Sequence, residues 1–108
     1  MEFLNDFFGI VVYSIESNGC LNGLWTNIDK GGEIFNEIAK KKDPKEEGIS
    51  GDYLCTYIDC TFENLELSIS WDDDKEYYIF KWELKDKLKF KGKGFQIGRQ
   101  LIVTYLNN

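Results

Sequence analysis

Histidine is absent from this chain, and proline and methionine occur once each. Without imidazole the commonest general base and the commonest metal ligand are both missing. Nucleophilic catalysis of the Cys–His kind is excluded with it. Cysteine is scarce and odd in number, at three, which argues against a closed disulfide framework. No Cys-x-x-Cys pair is there to hold zinc or run thiol exchange, so Cys20, Cys55 and Cys60 are expected as free thiols. No apolar run reaches the roughly 18 residues of a membrane helix. Basic residues are the minority: 13 Lys and Arg stand against 19 Asp and Glu, a formal net charge of −6. That is the wrong balance for a chain that must neutralise phosphates. Neither a nucleic acid nor a membrane is therefore expected as a partner. The opening Met1-Glu2-Phe3-Leu4-Asn5-Asp6 lacks the layout of a secretion signal, which points to the cytoplasm unless an export signal was removed.

What the chain has in quantity is aromatic residues, eight Phe, six Tyr and three Trp among 108 positions. Residues 1–108 suffice for a single domain with one hydrophobic core. Period-two alternation dominates. Leu65, Leu67, Ile69 and Trp71 are apolar, with Glu66, Ser68 and Ser70 between them. After the acidic turn Asp72-Asp73-Asp74-Lys75, Tyr78, Phe80, Trp82 and Leu84 take one face and Lys81, Glu83 and Lys85 the other. Leu88 and Phe90 continue inside, with Lys87, Lys89, Lys91 and Lys93 outside. Three strands joined by short polar turns make a meander.

Further strands are expected over Gly9 to Glu16, Cys20 to Ile28, Gly51 to Cys60 and Leu101 to Leu106. Gly92 and Gly94 fall where the apolar parity switches to Phe95 and Ile97, which predicts a bulge or sharp bend. Glu33 to Lys42 is ambiguous. Ile34, Phe35, Ile38 and Ala39 have helical spacing, yet Gly31-Gly32 before them is a hairpin signal, and barrel closure requires a strand. Lys40 to Gly48 is read as an exposed loop. Phe3, Leu4, Phe7 and Phe8, followed by Gly9, suit a short helix with a glycine cap. The expected fold is all-β: an antiparallel, up-and-down, eight-stranded barrel with a short N-terminal helical plug. Such a barrel is either filled by side chains or holds one small ligand.

Candidate chemistry is sparse. The Lys87–Lys93 stripe could form an anion groove, but the aromatic side chains of that strand point the other way, and a solvated outer face is the simpler reading. The acidic turn lacks the spaced oxygens of a calcium loop. Clear carboxylate candidates all fall on outward positions or turns, so no enzyme, cofactor or metal is expected. Ile10-Val11-Val12 and Leu101-Ile102-Val103 are apolar on both faces. If closure makes them neighbours, their outer residues form one patch that fits a homodimer or a cover by Phe3 to Phe8. Trp25, Tyr53, Tyr57, Trp71, Trp82 and Tyr105 are expected inside, lining a pocket or filling a core.

Leu21-Asn22-Gly23-Leu24-Trp25-Thr26-Asn27 resembles the opening strand of avidins, and its Gly23-x-Trp25 is similar to the lipocalin signature of the wider calycin group. Gly51-Asp52-Tyr53 resembles the avidin strand bearing a ligand-contacting tyrosine. Trp82, with Gly92 after Phe90-Lys91, resembles the avidin tryptophan strand and the glycine closing the next turn. Val103-Thr104-Tyr105-Leu106 sits where that family has another tryptophan strand. The resemblance implies that Asn27 and Tyr53 hydrogen-bond a ligand's polar head and that Trp82 walls the pocket. Departures are also present. Gly31 stands where the family has a ligand-binding serine, Tyr105 replaces a tryptophan, and an N-terminal strand replaces a missing final one. The resemblance therefore implies a fold and not biotin binding.

Two functions follow as expectations. One is a non-catalytic carrier for a small, partly apolar ligand, with Asn27, Tyr53, Trp82 and Tyr105 as contacts. The other is an interaction module with a filled core that homodimerises through its first and last strands. An interior cavity of at least roughly 300 Å³ would favour the carrier.

Overall fold

Eight strands wind in sequence order into a closed antiparallel barrel in the computed structural model, which describes residues 8–58 and 63–107. They are β1 (Phe8–Ile15), β2 (Leu21–Asn27), β3 (Phe35–Lys41) and β4 (Gly51–Ile58), then β5 (Glu66–Asp72), β6 (Tyr77–Leu84), β7 (Lys87–Ile97) and β8 (Gln100–Asn107). Closure is made by β1, where Val11 faces Trp25 of β2 on one side and Val103 of β8 on the other. Among the described strands no edge is left to template aggregation. A 3-10 turn, Ile28–Lys30, follows β2. The expected N-terminal plug falls largely outside the described residues; Phe8, its last residue, belongs to β1.

Alternation explains the strands directly, because period two puts every second side chain inside. On β8, Leu101, Val103 and Tyr105 are buried while Thr104 and Leu106 are exposed. On β6, Phe80 and Trp82 are buried around an exposed Lys81. The ambiguous segment is a strand, as barrel closure required, with Glu37, Ala39 and Lys41 on its inner face. Its helical spacing is overridden because Leu21 pairs with Ala39 on one side and Cys55 on the other. Both Lys40 and Lys41 belong to this strand, so the loop that follows is shorter than expected.

The parity switch at Gly92 and Gly94 does not occur. Strand β7 runs unbroken, both glycines face inward, and Phe95 and Ile97 are 50% and 59% exposed. A Cβ at Gly92 would stand 2.6 Å from the Thr104 carbonyl oxygen, so glycine here allows close approach and makes no bulge. The register shift lies across the β6–β7 pair, between Trp82 and Glu83. Trp71 is a second correction. It is 46% exposed near the end of β5, packed on Tyr78 with ring centroids 4.8 Å apart, beyond the part of the strand that faces the core.

The interior is filled at one end. Tyr13, Leu21, Tyr53, Ile69, Phe80 and Leu101 are all buried there, with Tyr13 and Phe80 stacked at 6.2 Å. Burying each such side chain contributes about 1.5–3 kcal/mol. The loop from Lys42 to Ser50 closes this end. Lys41 Nζ donates to the Glu46 carbonyl at 2.6 Å, and Tyr53 Oη donates to the Ile49 carbonyl at 2.7 Å. Cys20 and Cys55 are free thiols; Cys60 lies outside the described residues.

Candidate functional site

At the opposite end the barrel is hollow. A cavity of about 250 Å³ is lined by Trp25, Tyr57, Trp82, Phe90 and Tyr105, with Asn27 and Glu37 among the polar groups. Its mouth is formed where β2 and β8 end, with Asp29, Lys30 and Asn107 at the lining. The rings meet at steep angles. Trp25 and Tyr57 are 6.2 Å apart at 87°, Phe90 and Tyr105 are 5.6 Å apart at 84°, and Trp82 and Tyr105 are 5.7 Å apart at 58°. Aromatic surface thus encloses the space from several directions.

Three of the four expected contacts come together here. Asn27, Trp82 and Tyr105 line the cavity, and Asn27 Nδ2 donates to Tyr105 Oη at 3.3 Å. Tyr105 Oη in turn donates to the Thr26 carbonyl at 3.1 Å. The Asn27 side-chain oxygen accepts from the Asp29 backbone N–H at 3.0 Å, capping the 3-10 turn. Asn27 therefore holds the rim in shape. Tyr53, the fourth, lies near the start of β4 at the closed end, with its hydroxyl committed to Ile49, and does not line the cavity. Tyr105 needs the glycine opposite it: a Cβ on Gly9 would collide with the Tyr105 ring.

Glu37 is the residue that sequence reasoning missed. It is 3% exposed, in the barrel interior, with one wall of its surroundings open to the cavity. Tyr13 Oη donates to its Oε1. Its Oε2 accepts from Tyr57 Oη at 2.7 Å and from Trp82 Nε1 at 3.2 Å. Those donors come from β1, β4 and β6 and are all neutral. Burial pushes the Glu37 carboxyl above its ordinary value, opposed by the hydrogen bonds from Tyr13, Tyr57 and Trp82. The same burial, with the carboxylate nearby, pushes the Tyr13 and Tyr57 hydroxyls and the Cys55 thiol up. The signal that could have found Glu37 was strand parity: once Ala39 is inside, so is residue 37.

The other candidates lie outside the cavity lining. Lys87, Lys89, Lys91 and Lys93 are all exposed on the outer face of β7. In the acidic turn, Asp72 Oδ1 accepts from the backbone N–H of Asp74 and of Lys75, at 3.0 and 3.1 Å. Its carboxylate is thus occupied in shaping the turn. No family model, curated protein or solved structure matches the chain.

Proposed function

We propose that this barrel is a non-catalytic carrier or receptor for one small, partly apolar ligand, held in the aromatic cavity. The observation that carries this reading is the division of the interior into a packed end and a hollow, aromatic-lined end. Filling by side chains alone would have removed the hollow. At about 250 Å³ the cavity lies slightly below the roughly 300 Å³ at which ligand pockets begin. Its capacity is that of about eight waters at roughly 30 Å³ each, so the ligand is small. Trp82, Tyr105, Trp25 and Tyr57 are its proposed contacts, with Asn27 at the rim. The eight-stranded up-and-down closure and Gly23-x-Trp25 on β2 support grouping the chain with calycin-like barrels.

A second reading, homodimerisation, is favoured by a separate observation. On the outer face, Leu24, Val12, Ile102 and Phe95 are cross-strand neighbours over β2, β1, β8 and β7. Leu24 is 57% and Phe95 50% exposed. An apolar row of this kind fits a second copy of the chain. Native mass spectrometry of protein purified from its own host tests both readings together. A small-molecule adduct is expected under the first, and a doubled mass under the second. A clean apo monomer overturns both.

A further inference from the structure

The hollow end of the barrel combines three features whose joint chemistry is specific. The first is a box of aromatic rings at steep mutual angles. The second is a buried carboxylate, Glu37, opening onto that box. The third is how that carboxylate is bonded. A carboxylate offers about four lone-pair sites, and Tyr13, Tyr57 and Trp82 already occupy most of them. Glu37 therefore presents the cavity with negative field more than with free acceptors. A hard metal ion, which needs about six or more oxygen ligands, is poorly served by that arrangement. An anion would meet the like charge of Glu37 in a low-dielectric interior, with Lys30 placed out at the mouth.

A weakly hydrated organic cation meets none of these obstacles. It asks for ring surface and a nearby negative charge, and needs few hydrogen-bond acceptors. Two of the rings are themselves tied to the carboxylate, through Tyr57 Oη and Trp82 Nε1. Hydrogen bonding to an anion shifts electron density back into the ring and makes it a better partner for a cation. We propose that the ligand of this cavity is a small methylated or quaternary ammonium compound, with Trp82 and Tyr57 as the cation-binding rings and Glu37 as the buried counter-charge. This rests on the carrier reading and narrows it to one ligand class.

Three probes of matched shape test it: choline, its neutral carbon analogue 3,3-dimethylbutan-1-ol, and the anion 3,3-dimethylbutanoate. Each is titrated into wild-type protein to about 10 mM, following the indole N–H resonances by NMR. Trp82 and Trp25 report on the cavity, and the exposed Trp71 serves as internal control. Choline is expected to bind at least roughly tenfold tighter than the alcohol, and the anion more weakly than either. In Glu37→Gln the preference for choline over the alcohol should fall to about twofold or less.

Equal binding of choline and alcohol in the wild type overturns the cation assignment while leaving the carrier reading intact. Preferred binding of the anion does the same. Should no probe shift the cavity resonances, the assignment also falls, and the carrier reading is then decided by the native mass measurement alone. The wild-type series needs no variant, so a Glu37→Gln protein that failed to fold would not rescue the assignment.

Discussion

Glu37 couples the chemistry of the cavity to the stability of the fold. Its carboxyl is held above the ordinary value of 4.5, chiefly by burial, against opposing hydrogen bonds from Tyr13, Tyr57 and Trp82. A carboxyl whose folded-state value is raised contributes stability that is complete below the unfolded value. That contribution is lost as pH climbs through the folded value. The titratable groups facing it, Tyr13, Tyr57 and Cys55, are all pushed upward and stay neutral through this window. Asp29 and Lys30 line the same cavity from its mouth. Replacing Glu37 by Gln removes the titration, so the variant should gain on the wild type as pH rises from 4.5 upward. Urea melts of both proteins across a pH series measure this; a difference that stayed flat with pH would show that Glu37 is not the group responsible. Glu37 was overlooked in the sequence for a physical reason. Ile34, Phe35, Ile38 and Ala39 spell a helical face, and only the pairing of β3 with β2 and β4 turns residue 37 inward. Tyr53 was misjudged for the complementary reason. Its inward phase was readable, but its position along the barrel axis was not.

Turns mark where elements carry strain. Strands β6 and β7 meet at a two-residue turn in which Lys85 and Asp86 both have positive φ, 51° and 66°. That is the arrangement of a type I′ hairpin, whose twist matches the strands and whose favoured sequence is Asn-Gly. Aspartate tolerates the left-handed region, whereas lysine has no side chain that compensates for it. Lys85→Asn combined with Asp86→Gly should stabilise the protein by about 1 kcal/mol, a rise in melting temperature of roughly 4 °C. Calorimetry checks it, and an unchanged or lower melting temperature would refute the strain at this turn. Elsewhere the elements were legible wherever one face is wet and the other dry, as on β5 and β6. Parity misled at Phe95 and Ile97, large apolar residues left in contact with water on the outer face, whereas Trp71 has the inner parity and lies beyond the core-facing part of β5. An outer apolar row and an inner one look alike in a string of letters.

At the scale of the whole barrel, closure distributes stability unevenly around the ring. The seam of β1 with β8 is paired continuously from Phe8 opposite Leu106 to Ser14 opposite Gln100. Among the described residues, pairing of β4 with β5 runs from Gly51 opposite Ile69 to Leu54 opposite Glu66. One further bond, from the Cys55 N–H to the Leu65 carbonyl at 2.8 Å, extends it towards the mouth. Leu65 itself lines the cavity, so this short seam borders the hollow end. Local opening is easiest where few backbone bonds and little packed surface must be given up. The β4–β5 seam should therefore open while the rest of the ring stays shut, which would give a ligand a second route into the cavity beside the mouth. Native-state hydrogen exchange measures this directly. The Cys55 amide should exchange at least roughly tenfold faster than amides bridging β1 and β8, and bound choline should slow it selectively. Uniform protection around the ring would mean that the barrel opens only by global unfolding, and entry would then have to pass through the mouth between the 3-10 turn and the end of β8.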